Sequence, residues 1–250
     1  MIAARGAMRG LVLPGILSAV GIAVLLGFGF WQLERLAWKE ALIARVESRT
    51  KAPAVPLPAE NEWSKINYED DEYRRVALTG NFRHDRETLI YTVLSERPRG
   101  FSGPGFFVLT PLELASGASV IVNRGFVPLD RKDAATRREG QVSGSVTVTG
   151  LLRLPEQANI FTPSNDPARE AWFRRDPGEI AHARGIERAA PFTVDGDATH
   201  NPGGLPQGGE TRVTFSNNHL QYVVTWFGLA LALAAVFTAF AWQRITLDPS

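Results

Sequence analysis

Histidine is the residue type whose placement most clearly suggests chemistry, because the chain contains only four histidines and no cysteine. His84, His182 and His200 lie in polar stretches, at spacings unlike those of zinc ligands. His219 instead lies in a stretch without charged side chains, about one turn before a strongly apolar segment. An ionisable side chain at membrane depth is a candidate functional residue. His219 is therefore the first candidate ligand for a metal or a cofactor.

Two aromatic residues follow His219 at helical spacing. If a helix begins by about Asn217, Tyr222 and Trp226 lie on the same side of it as His219. Imidazole beside aromatic rings suits a flat, apolar metal macrocycle, because histidine is a common axial ligand of haem iron. The alternative is a histidine bonded to a lipid headgroup or a neighbouring helix, with the aromatic residues in the belt at the membrane surface. The residues alone leave both interpretations open.

A second cluster lies near the other end of the chain, where Trp31, Arg35 and Trp38 share helical spacing. Arg35 can pair with a carboxylate such as a haem propionate, stack on Trp31, or bind a lipid phosphate. Gln32 and the pair 217–218 add uncharged polar groups at a similar depth. All three roles of Arg35 remain open at this stage.

The rest of the sequence lacks a catalytic pattern. The absence of cysteine excludes disulfides, thiolate metal sites and cysteine nucleophiles, and 27 basic against 26 acidic residues give no sign of nucleic-acid binding. We interpret the acidic run 69–72 and the arginine pairs 137–138 and 174–175 as exposed charges rather than ligand sites. A membrane-tethered hydrolase or lipid-modifying enzyme is a further alternative, but no nucleophile–base pair supports it. We therefore predict a protein that is not an enzyme.

Two charge-free segments, 11–31 and 222–242, position these clusters. Each has about 21 residues, which as a helix spans about 30 Å, the thickness of a bilayer core. A cleaved signal peptide is the alternative for the first, but its apolar stretch is too long and no A-x-A site follows it. The predicted organisation is a tail 1–10, a first span 11–32, a domain 33–213, a pre-membrane segment and second span 214–243, and a tail 244–250.

Two spans place both termini on one side of the membrane. Basic residues flank the first span on both sides, so the charge rule does not decide the orientation. Because long loops cross the membrane largely regardless of charge, we predict cytoplasmic tails and a periplasmic domain. The domain starts and ends at the same membrane surface, so we expect residues 31–39 and 215–222 to be neighbours.

The domain 33–213 changes character along its length. Helical spacing continues to about residue 48, and a proline-rich linker at 52–59 predicts an extended connector. A short helix is expected at 177–184, with Asp176 as its N-cap and Gly185 as its end. Short β-rich runs predict an antiparallel meander with strands at Tyr73–Thr79, Thr88–Leu94, Phe106–Pro111, Ser119–Val122, Phe126–Pro128, Ser145–Arg153, Ala171–Arg174 and Pro191–Val194.

These elements predict an α+β fold, in which two terminal transmembrane helices flank a β-rich, antiparallel domain outside the membrane. The domain is expected to be a partly open barrel or a sandwich, because no repeat of solenoid or propeller spacing is present. Within it, Gly80 and Gly125 stand where turns can require positive φ.

Several motifs, occurring in order from residue 30 to residue 227, resemble the surfeit-locus family of cytochrome c oxidase assembly proteins. They are Phe30–Arg35 (FWQLER) with Lys39–Ile43, Val76–Phe82 (VALTGNF), Val122–Pro128 (VNRGFVP), Gly150–Glu156 (GLLRLPE), Trp172–Asp176 (WFRRD) and Asn218–Phe227 (NHLQYVVTWF). Any one of these motifs is weak, whereas the ordered set is specific.

The resemblance implies a two-span protein of a bacterial plasma membrane or an inner membrane, which assists assembly of cytochrome c oxidase. It implies transient binding of haem a, destined for the oxidase catalytic subunit, with His219 as the axial ligand of the haem iron. Trp31 and Arg35 match the first-span motif, and Tyr222 and Trp226 match the second; from helix geometry we expect these four residues to line the haem pocket, and no second axial ligand is evident. Expected partners are the catalytic subunit, other oxidase assembly factors, the haem a synthesis machinery and the lipid bilayer. The alternative function is a cofactor-free scaffold that docks oxidase subunits.

Overall fold

The computed structural model describes residues 2–95, 100–157, 162–211 and 217–247. The chain divides into two compact units, which are considered separately below. One unit contains Met1–Arg45 and Thr214–Ser250, and the other contains Val46–Val213. The predicted boundary at 213/214 and the last three residues of the predicted tail lie outside the described residues.

The first unit is built from two long helices, α1 (Ile2–Lys51) and α3 (His219–Leu247). Both helices are long and apolar enough to cross a membrane, because their apolar stretches contain no charged side chain. Most of their large apolar side chains are exposed, as expected for surfaces that face lipid rather than a protein core. Helix α1 continues to Lys51, three residues beyond the predicted end of its extension.

The two helices of this unit pack antiparallel through glycines. Gly15 on α1 lies against Phe237, and Gly29, about four helical turns further along, lies against Phe227. A Cβ atom at Gly29 would stand 2.8 Å from Cζ of Phe227, which is closer than side-chain atoms normally approach. Glycine therefore allows the close helix contact that membrane helices use in place of hydrophobic burial.

The second unit is a mixed β-sheet that closes into a barrel. Strand β2 pairs with β6 along most of its length and with β4 at its end, through Gly80–Phe82, and this second pairing closes the ring. The fold class is therefore confirmed: terminal apolar helices flank a β-rich, barrel-like domain. The strands are β1 (Val55–Pro56), β2 (Arg75–Phe82), β3 (Thr88–Leu94), β4 (Gly103–Leu114), β5 (Ser119–Pro128), β6 (Ser145–Arg153) and β7 (Ala189–Gly196).

The strand order differs from a meander. The sequence of neighbours is β1-β2-β6-β7-β5-β4-β3, and both β5–β7 and β1–β2 run parallel, so the prediction of an antiparallel meander is wrong. Parallel pairing is possible because the long connection that contains α2 (Pro177–Ala183) returns the chain to the side of β5. The proline-rich segment is extended as predicted and contributes β1.

Several local predictions can be compared directly. Strands β3 and β6 have the predicted bounds, and α2 has Asp176 as its N-cap, with Oδ1 accepting from the backbone N–H of Glu179 at 3.0 Å. The two runs predicted at Ser119–Val122 and Phe126–Pro128 form one strand, β5. The strand predicted at Ala171–Arg174 is absent; the backbone there makes only isolated bridges, one of them from Trp172 to Ile90.

The two glycines singled out in the sequence serve different purposes. Gly125 has φ of 121°, as expected, although it lies within β5 rather than in a turn. Gly80 is also in a strand, and its role is close approach. A Cβ at Gly80 would stand 2.3 Å from the carbonyl oxygen of Glu113, where β2 crosses onto β4. Gly80 thus permits the pairing that closes the barrel.

A buried ionic cluster centres on Asp195 of β7, whose side chain is almost fully buried. Its carboxylate oxygens accept from Arg153 and Arg175 at 3.0 Å each, and from Thr211 at 2.8 Å. Although burial alone raises the pKa of Asp195, the positive charges of Arg175 and Arg153 lower it below its ordinary value. Glu72 also belongs to the cluster, since its Oε1 accepts from Arg153 at 2.8 Å.

This cluster corrects the interpretation of the charged runs as exposed. Arg175 is buried in the ionic cluster, and Arg137 is buried in an ion pair with Glu87. Acidic residues of the run 69–72 bind protein groups: Glu72 holds Arg153, and Asp71 caps the backbone N–H of Asn67 at 3.1 Å. A run of charged residues suggests an exposed surface, because the sequence does not show ion pairs between residues that are far apart in the chain.

Replacing Asp195 with asparagine is expected to lower the free energy of unfolding by about 3–5 kcal/mol, because the buried Arg175 and the partly buried Arg153 lose their shared anion. Because the folded pKa is depressed, the contribution of Asp195 is present at neutral pH and is lost as the pH falls below about 4. Urea denaturation followed by tryptophan fluorescence measures both effects. Asp85→Asn, at an exposed carboxylate, is the control and should change stability little; an Asp195→Asn variant as stable as this control would contradict the prediction.

Candidate functional site

The candidate site is built on a hydrogen bond between the two apolar helices. Gln32 is buried on α1, and His219 is the first residue of α3 and is half-buried. Nδ1 of His219 lies 2.6 Å from Oε1 of Gln32. The expected proximity of residues 31–39 and 215–222 is thus confirmed at this pair, while residues 215 and 216 lie outside the described part of the chain.

This hydrogen bond determines which imidazole nitrogen is available. An amide oxygen can only accept, so Nδ1 of His219 carries the proton and donates it to Gln32. In the neutral ring, Nε2 then keeps an unprotonated lone pair. Histidine ligands of metals commonly have this arrangement, in which the second nitrogen donates to a carbonyl or carboxylate that fixes the tautomer and the ring orientation. The hydrogen bond to Gln32 therefore orients His219 so that its Nε2 can bind a metal.

Three predicted site residues lie on one side of this hydrogen bond. At about 100° per residue, Arg35 lies about 60° and Trp31 about 100° to one side of Gln32. Tyr222 lies about 60° from His219 in the same sense. Because the helices are antiparallel, these offsets point to the same side of the helix pair. Trp31 and Tyr222 are 51% and 50% exposed, so this surface, here called the open face (Trp31, Arg35 and Tyr222), is accessible.

The other aromatic residue predicted for the site, Trp226, has a different environment. Its ring stacks on Phe28 of α1, with centroids 5.0 Å apart, and its indole is half-buried between the helices. The indole N–H is buried and has no hydrogen-bond partner among the described residues. Trp226 therefore borders the open face from inside the helix pair instead of standing on it.

Arg35 makes a contact that the sequence did not indicate. Its guanidinium lies 4.6 Å from the centre of the Trp38 ring, so it stacks on Trp38 and not on Trp31. Stacking occupies the face of the guanidinium and leaves its edge N–H groups able to bind an anion. Arg35 is exposed, and a carboxylate arriving at the open face can reach it.

The remaining histidines are not part of such a group. Within the described ranges, no three His, Asp or Glu side chains lie close enough together to hold a metal ion. Nε2 of His84 lies 2.9 Å from the carbonyl oxygen of Val142, and burial lowers the pKa of His84. The role of Gln32 in orienting His219 was not assigned from the sequence, although an uncharged polar residue at the end of an apolar span was a visible signal.

Comparison with known proteins agrees with these features. A model of the SURF1 family matches residues 19–231, which include the barrel and part of each long helix. The chain belongs to the SURF1 family. It is 38% identical to surfeit locus protein 1 of Rattus norvegicus over 232 residues, which cover 89% of this chain and 72% of the relative. It is similarly 38% identical to surfeit locus protein 1 of Homo sapiens (87% and 72% covered) and 34% identical to a SURF1-like protein of Drosophila melanogaster (89% and 74% covered).

The resemblance seen in the sequence motifs is therefore confirmed. The SURF1 family is known for the assembly of cytochrome c oxidase. The alignments with the rat and human relatives cover most of the length of those proteins. Together with the two apolar helices, membership indicates an integral membrane protein. The matched region contains every predicted site residue, from Trp31 to Trp226.

Packing at Gly29 is expected to control the Gln32–His219 hydrogen bond. A leucine at Gly29 would displace Phe227, at a cost of about 1–3 kcal/mol, and would separate the helices one turn from Gln32. ¹⁵N NMR of labelled histidine should then show His219 changing from the Nδ1–H tautomer to a mixture. Gly27→Leu is the matched control, because a Cβ there meets no atom within 4 Å. Equal spectra for the two variants would contradict this assignment.

Proposed function

We propose that this SURF1-family protein is a non-enzymatic assembly factor that carries haem a to the catalytic subunit of cytochrome c oxidase. The observation that supports this proposal is the hydrogen bond from Nδ1 of His219 to Gln32, which leaves Nε2 as the ring nitrogen for a ligand bond, beside an accessible aromatic surface. A haem carrier needs a ligand for the iron and an apolar face for the macrocycle, and these residues meet both needs.

Each residue of the site has a distinct part in this proposal. His219 supplies the axial ligand, and Gln32 holds its ring in one tautomer and one orientation. Trp31 and Tyr222 present apolar rings at the open face, and Arg35 offers N–H groups to a propionate. The open face is exposed rather than enclosed, which suits a carrier that must release its cargo.

The location of the protein forms part of the same proposal. We place both tails in the cytoplasm and the barrel in the periplasm of a bacterial plasma membrane, since a long loop crosses regardless of charge. The partners are then the oxidase catalytic subunit, other assembly factors and the machinery that makes haem a. Hydrophobic side chains exposed along α1 and α3 contact the bilayer.

His219→Ala is expected to reduce the haem content of the protein at least fivefold, because the side chain that ligates the iron is removed. The measurement is the visible spectrum and haem stoichiometry of protein purified from cells that synthesise haem a. His182→Ala, at an exposed histidine of α2, is the matched control and should keep the wild-type spectrum. Wild-type protein without haem, or a His219→Ala spectrum equal to that of wild type, would refute ligation by His219.

The same variant distinguishes the carrier from a cofactor-free scaffold. For a carrier, oxidase made in cells with His219→Ala should contain less haem a, while the catalytic subunit still co-purifies with the variant. If the catalytic subunit co-purifies and the oxidase keeps its full haem content, the scaffold function is favoured instead.

Gln32 is expected to act as a positioning residue through His219. Gln32→Leu removes the acceptor for Nδ1–H and should weaken haem affinity about 10–100-fold, as loss of such partners does at metal sites. Gln32→Glu keeps an acceptor and adds negative charge, so it should retain haem and shift the midpoint potential to a more negative value. Spectroelectrochemistry of the loaded protein measures this shift. An unchanged potential in Gln32→Glu would show that Gln32 does not act on the ligand.

A further inference from the structure

A cavity opens in the barrel where strand β7 ends at Gly196. Up to this residue β7 lies between β5 and β6: Asp195 pairs with Asn123 of β5, and Gly196 pairs with Gly150 of β6. Beyond it the described residues add no further strand between β5 and β6, and residues of β5, β6 and the loop after β7 line a cavity of about 270 Å³. Its walls are largely apolar and include Phe82, Val122, Val142, Val146 and Val148.

One cation, Arg124, is buried in the wall of this cavity. Arg124 is only 5% exposed, and its guanidinium lies 4.7 Å from the centre of the Phe82 ring. Nη2 donates to the carbonyl oxygen of Gly140 and to Oδ1 of Asn201 at 3.5 Å. Nη1 is buried and has no hydrogen-bond partner in the described structure. A buried guanidinium with an unused N–H group is costly unless another group satisfies it.

Arg124 also lacks a counter-ion of its own. None of the carboxylates in the described ranges forms an ion pair with it, and the nearby Glu87 is held by both Nη atoms of Arg137. Burial lowers the pKa of Arg124 to about 10, while Glu87 and Arg137 act in opposite directions. The group therefore remains positively charged at neutral pH inside an apolar cavity.

The other ionisable groups of the cavity wall do not neutralise this charge. Asp197 lines the cavity, but its Oδ2 lies 2.5 Å from Nη2 of Arg75 and is paired there. His200 also lines the cavity, on the exposed loop that follows β7, and adds no negative charge. The cavity thus combines apolar walls with one unbalanced, buried positive charge.

We propose that this cavity, here called the Arg124 cavity, binds a small molecule with a carboxylate group and a short apolar body. The carboxylate would satisfy Nη1 and neutralise Arg124, and the apolar part would lie against Phe82 and the valines. The volume is just under the lower limit of about 300 Å³ that is common for small-molecule sites, which favours a ligand of modest size. This function goes beyond haem binding and does not depend on His219.

The probe is hexanoate, titrated by calorimetry into the full-length protein in lipid nanodiscs, with empty nanodiscs to subtract partitioning into lipid. Hexanoate should bind saturably with one site per chain, and the uncharged isostere hexanamide at least tenfold more weakly. Arg124→Gln should weaken hexanoate binding at least tenfold. Arg169→Gln, at an 84% exposed arginine, should leave it unchanged.

Two further variants keep the test decisive. If Arg124→Gln does not fold, Thr199→Trp on the exposed cavity loop fills the space from outside the barrel and should also weaken binding at least tenfold. His219→Ala should bind hexanoate as tightly as wild type, which separates this proposal from haem binding. No saturable binding, equal affinity for hexanamide, or undiminished affinity in both cavity variants would overturn the proposal.

Discussion

The hydrogen bond from Nδ1 of His219 to Oε1 of Gln32 is the interaction on which the proposed haem site depends. It joins the two terminal helices, and it satisfies the amide oxygen of Gln32, a buried side chain for which an unpaired polar group would be costly. It also selects one of the two imidazole tautomers. Glycines such as Gly29 make this possible, because only a close helix contact brings the two side chains to 2.6 Å.

In the barrel, several of the buried polar groups are charged side chains that form ion pairs. Asp195 lies between Arg153 and Arg175, and these three side chains come from separate strands and loops that the sheet brings together. A buried ion pair of this kind contributes less to net stability than to the choice of one fold. Any other strand register would leave a buried charge without a partner. Arg124 departs from this pattern. It is buried like Arg175, yet no described carboxylate pairs with it.

The sequence determines the local elements well and the distant pairings poorly. The apolar spans and the strands Thr88–Leu94 and Ser145–Arg153 were predictable, because their periodicity is contained within each segment. The parallel pairing of β5 with β7 was not, because it depends on a connection that contains α2. The same limit applies to the sites. His219 was identifiable as an ionisable residue beside an apolar span, whereas the roles of Gln32 and Arg124 depend on burial produced by residues far away in the chain.

The two candidate sites show how the hydrogen bonding of a polar side chain can indicate its ligand. At His219, the amide oxygen of Gln32 accepts from Nδ1–H, and the other ring nitrogen, Nε2, is the one that can offer a lone pair to a metal. At Arg124, the guanidinium remains charged despite burial, and a charged donor without a counter-ion suits an anion. Both features are costly for folding alone, since an apolar residue at either position would avoid the desolvation penalty. Binding of a complementary ligand removes part of that penalty, which is a physical reason for a fold to retain such groups.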